Sequence, residues 1–174
     1  MTQTRLDTQA AIDHLSQSLA DLIQQKKLVD PRMIGIHTGG AWVARELHRR
    51  LAIKEPLGLL DISFYRDDYS RIGVNPEIRP SNLPFDVEDR QILLIDDVLY
   101  TGRTIRAALN EIFDYGRPDR VVLGVLIERD DGREVPIQAD CVGSRISLNR
   151  NQRVELAGPQ PLQLEIQTLD SAMF

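Results

Sequence analysis

Apolar residues along this chain fall into two alternating patterns: short unbroken runs, and stripes at helical spacing. Ala10, Ala11, Leu15, Leu19, Leu22 and Ile23 form the first stripe and predict an amphipathic helix on an otherwise polar segment. Asp7 or Thr8 is placed to cap its start, and Lys26-Lys27 suit the negative end of its dipole. Asp30-Pro31 breaks the chain, and Met33-Ile-Gly-Ile36 predicts a buried strand. That run ends in His37-Thr-Gly-Gly40, after which Ala41, Ala44, Leu47 and Leu51, with Trp42 and Val43, predict a second helix. Residues 57–65 read as a strand of mixed character. A polar, proline-containing stretch at 66–84 follows, and a run of that length in a compact domain predicts a lid.

The centre of the pattern is Gln91-Ile-Leu-Leu-Ile-Asp-Asp-Val-Leu-Tyr-Thr-Gly-Arg-Thr104. Ile92 to Ile95 are too few for an independent helix and suit a strand buried on both faces. Asp96 and Asp97 follow, then a short loop, then Ile105, Ala108, Leu109, Ile112 and Phe113 at helical spacing. Tyr115-Gly-Arg-Pro118 ends that helix in the expected order, glycine then proline. Residues 120–127 form another apolar run, 128–134 a charged turn, and Cys141-Val142, 153–156 and the alternating Leu162, Leu164 and Ile166 shorter extended segments. The succession predicts an α/β fold: a mostly parallel twisted sheet flanked by helices, with a small antiparallel appendage, in one domain spanning 1–174.

Composition narrows the class. With 174 residues, 42% hydrophobic and 27% charged, the chain suits one soluble domain with a full core. No apolar run approaches the roughly 20 residues of a membrane span, and the N-terminus lacks a secretory apolar core, so a cytoplasmic protein is expected. The single cysteine, Cys141, rules out an internal disulfide and reads as a small core residue. A net charge of −5 gives no support to bulk nucleic-acid affinity. His14 lies beside the first stripe and reads as a surface residue.

The chemistry follows from what the strand–turn–helix junction collects. Backbone N–H groups, the Thr101 and Thr104 hydroxyls and the positive end of a helix dipole converge on one point, which suits a phosphate. Asp96 and Asp97, just upstream, suit sugar hydroxyls or water bound to a magnesium ion. Two acids at the end of a buried strand are costly without partners, which argues against a plain helix cap. Thr38-Gly39-Gly40 opens a second helix and is a candidate pyrophosphate loop, because paired glycines let backbone amides approach an anion. Arg66 and Arg71 in the predicted lid suit closure over a polyanion. The chain contains neither a Gly-x4-Gly-Lys-Ser/Thr string nor a Gly-x-Gly-x-x-Gly string, which disfavours P-loop and dinucleotide-binding readings.

The string from Gln91 to Thr104 resembles the 5-phosphoribosyl-1-pyrophosphate (PRPP) signature of type I phosphoribosyltransferases. Within them the chain resembles the PyrR family over nearly its whole length. The residues that carry this are Asp61-Ile-Ser-Phe-Tyr-Arg-Asp-Asp68, Asp96 to Thr104, Gly116-Arg-Pro118 and Arg133-Glu-Val-Pro-Ile-Gln-Ala-Asp-Cys-Val-Gly143. The resemblance implies the type I fold with a small hood, and uracil phosphoribosyltransferase activity turning uracil and PRPP into UMP and pyrophosphate. It also implies magnesium carried with PRPP, regulation of pyrimidine genes through a messenger leader, and a homodimer or larger assembly. By resemblance, Asp96, Asp97 and Arg66 are the catalytic residues, and Val98, Leu99, Tyr100, Thr101, Gly102, Arg103 and Thr104 hold the ribose phosphate. Thr38, Gly39 and Gly40 hold pyrophosphate, and Arg129 and Val154 stand at the uracil and nucleotide end.

Two departures qualify what the resemblance implies. The family's pyrophosphate loop usually reads Thr-Arg-Gly, whereas Gly39 stands here in place of the arginine. A lost guanidinium removes a charge-assisted contact worth about 1.5–3 kcal/mol, so reduced turnover is expected, with Gly39→Arg raising it. The first helix carries Ser16, Gln17, Ala20 and Gln25 where RNA-binding members carry basic or histidine residues, and Asp130-Asp-Gly132 replaces Gly-His. Arg133, Arg145, Arg150 and Arg153 remain as a candidate nucleic-acid patch, facing an altered RNA or DNA target. Two other functions therefore stay open: a nucleotide sensor with little turnover, and transfer to a different base.

Overall fold

The structure, a computed structural model, describes residues 3–63 and 81–169. Phe64, Tyr65, Arg66, Arg71 and most of the expected lid lie outside the described residues. In chain order the elements are β1 (Gln3–Arg5), α1 (Thr8–Gln25), β2 (Arg32–Ile36), α2 (Gly39–Arg50), β3 (Gly58–Leu60) and β4 (Gln91–Leu99). They continue with α3 (Arg103–Tyr115), β5 (Arg120–Arg129), β6 (Cys141–Ile146), β7 (Gln152–Ala157) and β8 (Gln163–Thr168).

Five strands form an all-parallel sheet in the order β3-β2-β4-β5-β6. The apolar runs of β2, β4 and β5 are buried on both faces, as parallel strands beneath helices must be. Alternation along β4 divides its side chains between two cores. Leu93 and Ile95 pack with Leu15 and Leu19 of α1 and Val43 and Leu47 of α2. Ile92 and Leu94 pack with Ile105, Ala108 and Ile112 of α3. Gly35 lets α2 lie close on β2, since an added Cβ would stand 2.7 Å from Ala44 Cβ.

Asp7 caps α1 by accepting from the Ala10 N–H at 2.9 Å. His14 is exposed, as expected, yet its Nδ1 lies 3.0 Å from the Val142 carbonyl and so pins α1 to β6. Cys141 is buried, and desolvation pushes its thiol pKa up, which suits an inert core residue.

The antiparallel appendage is a three-stranded sheet in the order β1-β8-β7. β7 and β8 occupy the extended segments expected near the C-terminus, but β1 was not legible as a strand. Its residues Gln3-Thr4-Arg5 carry no apolar alternation, and their pairing comes from the free edge of β8. Of the expected strand at 57–65, Gly58–Leu60 is strand among the described residues, and Phe64 and Tyr65 lie outside them.

α3 is rotated relative to its expected stripe. Its buried residues are Ile105, Ala107, Ala108, Glu111 and Ile112, and Phe113 is exposed. A hydrogen-bond chain accounts for the acid facing inward: the Asp61 N–H donates to Ser81 Oγ, and the Ser81 hydroxyl donates to Glu111 Oε1. Burial pushes the Glu111 pKa up, the neighbouring Asp61 and Asp114 adding to it and the Ser81 bond opposing it. A carboxyl with a raised folded-state pKa stabilises the fold below its unfolded pKa and loses that contribution as pH rises through the folded value. Glu111→Gln is therefore expected to melt higher than the parent at pH 7, with the gap closing by about pH 4. Each kcal/mol of removed penalty corresponds to about 2–4 °C in a domain of this size. A pH series of thermal melts checks it, and a gap that does not change with pH would rule out the titration of Glu111 as its source.

Candidate active site

The site lies where the sheet topology turns. β2 passes through α2 to β3 on one side, whereas β4 continues to β5 and β6 on the other, so β2 and β4 flank a switch point. β4 pairs with β2 only through Ile95, opposite Gly35, but with β5 as far as Leu99, opposite Glu128. Beyond Ile95, then, β4 has lost one neighbour, and its next residues are Asp96 and Asp97. A cavity of about 900 Å3 opens there. Its size falls within the range of small-molecule sites.

Asp96 is 4% exposed, and its Oδ1 accepts the Asp97 N–H at 2.9 Å. Asp97 is half-buried, and its Oδ1 accepts the Val98 N–H at 2.9 Å. Both acids line the cavity, together with Val98, Leu99, Tyr100, Thr101, Gly102, Arg103 and Thr104. The acids therefore belong to a strand nine residues long rather than to the loop beyond its end. Gly102 is the N-cap of α3, at φ 88°, a left-handed conformation that glycine adopts without strain. An added Cβ there would also stand 2.8 Å from Val135 Cγ2. Thr101 Oγ1 accepts the Arg103 N–H at 3.2 Å, which leaves the Thr101 hydroxyl hydrogen available to a ligand.

The second glycine sequence is the first turn of α2 rather than a separate loop, and its two glycines act differently. Gly40 is a packing glycine: an added Cβ would stand 2.8 Å from the Ile95 carbonyl and 2.9 Å from Asp96 Oδ1. Gly39 lines the cavity, as does Thr38, which follows a cis peptide bond from His37. An added Cβ on Gly39 would fall 2.2 Å from Asp97 Oδ2 and 3.1 Å from Asp97 Cβ. Any side chain at 39 must therefore first turn Asp97 aside. The expectation that arginine there simply adds a contact did not include this displacement, because positions 39 and 97 meet only in the fold.

Val154 lines the cavity from β7, with Glu155 and Leu156 beside it. Arg129 does not line it. Its guanidinium lies 3.7 Å from the centroid of the Tyr100 ring and bonds both oxygens of Asp131. That bond holds the Asp131 carboxyl below the usual carboxylate range. Sequence reasoning passed over His37, Glu134 and Leu156. The first two adjoin recognised segments, and Leu156 shares an alternating strand face with Val154. Glu134 pairs with Arg103 at 2.6 Å.

The basic residues do not form one free patch. Arg133 and Arg145 converge on Glu128, each at 2.9 Å. Arg153 bonds Gln167 and Glu155 in the other sheet, and Arg150 lies exposed between β6 and β7. Among the described residues no group of three or more His, Cys, Asp or Glu side chains could hold a metal ion, and no helix is long and apolar enough to cross a membrane.

The model for the phosphoribosyl transferase domain matches residues 2–158. A protein of Nitrosococcus oceani called Bifunctional protein PyrR is 54% identical over 167 residues, covering 95% of this chain and 94% of that one. One of the same name from Pseudomonas aeruginosa is 50% identical over 161 residues, covering 92% and 94%. The chain belongs to the PyrR family of type I phosphoribosyltransferases. The fold agrees with solved phosphoribosyltransferases. The hypoxanthine phosphoribosyltransferase of Trypanosoma cruzi superposes with a TM-score of 0.67 at 19% identity, covering 94% of this chain and 93% of that one. That of Staphylococcus aureus gives 0.64 at 20%, covering 94% and 90%.

Membership in the PyrR family makes position 39 testable with PRPP. Gly39→Ala adds only the displacing Cβ and is expected to weaken PRPP binding. Gly39→Arg adds the same Cβ plus a guanidinium, so the ratio of the two isolates the charge. We expect Gly39→Arg to bind PRPP at least about tenfold more tightly than Gly39→Ala, the value of one charge-assisted contact. Equal affinities in calorimetry would remove the case for arginine at this position.

Proposed function

We propose that this protein is a uracil phosphoribosyltransferase that also regulates pyrimidine gene expression. The observation that carries the catalytic half is the cavity at the end of β4, with Asp96 and Asp97 flanked by the N-terminal ends of two helices, α2 and α3. Each helix start leaves N–H groups without intrahelical partners and carries partial positive charge, so the pair suits a ligand with two separated phosphate groups. PRPP is such a ligand. The start of α3, with the Thr101 and Thr104 hydroxyls, would take its 5-phosphate. Thr38 and Gly39 at the start of α2 would take its pyrophosphate, and Asp96 and Asp97 its ribose hydroxyls. Val154 on β7 would face the base.

In the reaction the bond from the ribose anomeric carbon to pyrophosphate breaks, and a bond to uracil N1 forms as N1 loses its proton. Positive charge develops on the ribose in the transition state, and two carboxylates held nearby by the backbone stabilise it electrostatically. No protein nucleophile is needed; orientation and exclusion of water do the remaining work. Magnesium fits the residues present as an ion brought by PRPP. Two carboxylates beside the α2 terminus would repel pyrophosphate, and they are too few to hold the ion alone, which suits one bound largely through water and phosphate. When bound, it supplies charge neutralisation for the leaving pyrophosphate. Arg66 would serve the lid, and the assembly would be a homodimer or larger.

The regulatory half is supported by relatives about half identical that are called bifunctional. Its target would be a pyrimidine-operon messenger leader or DNA, through Arg133, Arg145, Arg150 and Arg153. Because phosphate contacts supply much of nucleic-acid affinity, the internal pairing of three of these arginines favours weak binding.

Incubation with PRPP, magnesium and single bases, following pyrophosphate release, tests the substrate assignment. Turnover with uracil alone is expected. Turnover with a purine or orotate instead would move the protein to another base, and UMP binding without turnover would make it a sensor. Asp97→Asn combined with Thr101→Val is expected to weaken UMP at least about tenfold by calorimetry, since both lost groups bond the charged ligand directly. Unchanged affinity would overturn the site. Weak, UMP-responsive retention of a pyrimidine-operon leader is expected in a gel shift, and a tight complex would contradict the pairing argument.

A further inference from the structure

Arg129 ends β5, and its side chain is 8% exposed, so it reaches neither solvent nor the cavity freely. Its guanidinium packs against the ring of Tyr100, a residue of the phosphate loop, and is fixed from behind by Asp131 through bonds of 3.2 and 2.8 Å. Gly132, at φ 74°, closes on the same ring; an added Cβ would stand 2.2 Å from Tyr100 Cε2. The chain then runs along the loop's backbone. Arg133 Nη1 donates to the Tyr100 carbonyl, and the Glu134 and Val135 N–H groups donate to the Thr101 carbonyl at 3.0 and 3.2 Å. Val135 and Ile137 pack on Gly102.

These bonds set the loop's donors. In a trans peptide the carbonyl and the following N–H point in opposite directions. Anchoring the carbonyls of Tyr100 and Thr101 on residues 133–135 therefore directs the N–H groups of Thr101 and Gly102 away from that segment. The loop is thus oriented before any anion arrives, and orientation settled in advance removes an ordering cost from binding.

We propose that Arg129 is a positioning residue, acting on the phosphate loop through Tyr100, with residues 131–135 as a brace for that loop. This inference rests on the proposed binding of PRPP in the cavity. It assigns Arg129 to the phosphate end of the reaction, where the family resemblance placed it at the base. Arginine suits the task because its planar group stacks on an aromatic face while holding a carboxylate with two bonds.

The test uses ribose 5-phosphate, which carries the phosphate and sugar without a base. Arg129→Met and Tyr100→Ala are each expected to weaken its binding about tenfold in calorimetry, a loss that lies between an exposed and a fully desolvated cation–ring contact. The double variant is expected to bind no worse than the weaker single one, because both remove the same contact. In turnover, Arg129→Met should raise KM for PRPP and leave KM for uracil unchanged. A rise in KM for uracil alone, or a double variant about 100-fold weaker, would overturn the proposal. Amide exchange of Thr101 to Thr104 in the ligand-free protein gives a second reading: faster exchange in Arg129→Met is expected, and equal exchange would also overturn it. Should Arg129→Met fail to fold, Asp131→Asn loosens the same guanidinium from the exposed side and must shift exchange in the same direction. If the parent protein binds no ribose 5-phosphate, the PRPP reading fails while the exchange comparison still decides the brace.

Discussion

A buried carboxylate on the central strand of a parallel sheet is the constraint on which the rest of this structure depends. Moving Asp96 out of water is costly unless something compensates, and the backbone around it contributes to that compensation. The next residue's N–H bonds its Oδ1, and the start of α2 lies against it at Gly40, with the positive end of the helix dipole toward the acid. That close approach is possible because residue 40 lacks a side chain. A helix start so near the acid in turn fixes where β2 ends, and the end of β2 is what exposes Asp97 to the cavity.

The loop proposed to hold the phosphate meets a different requirement. To bind an anion it would have to present N–H groups while its carbonyls, which would repel one, are occupied elsewhere. Segment 133–135 occupies them, and the Arg129–Tyr100 contact holds the loop against that segment. The cavity thus has one wall made rigid by the sheet and another held by contacts between side chains. Stability and ligand affinity are expected to respond differently to damage in the two.

Much of this was legible from local pattern. The runs of β2, β4 and β5, the acid pair and the turn into α3 are readable because each is a local consequence of neighbouring residues. What escaped depends on contacts distant in sequence. Gln3-Thr4-Arg5 becomes a strand only because β8 offers an edge. α3 faces inward at Glu111 instead of Phe113 because Ser81, thirty residues away, supplies a bond. The clash between position 39 and Asp97, and the seat of Arg129 beneath Tyr100, arise between elements that spacing alone does not bring together.

The pairing of β1 with β8 has a consequence for synthesis. Residues 3–5 find their partners only at 165–167, so this sheet is among the last parts to close as the chain emerges. β7, which carries Val154 to the cavity, belongs to the same sheet, and its partner β8 is also late. A nascent chain can assemble the parallel sheet, the acid pair and both helix starts before the wall proposed to face the base is in place. Competence for the phosphorylated sugar would then precede competence for the base during translation.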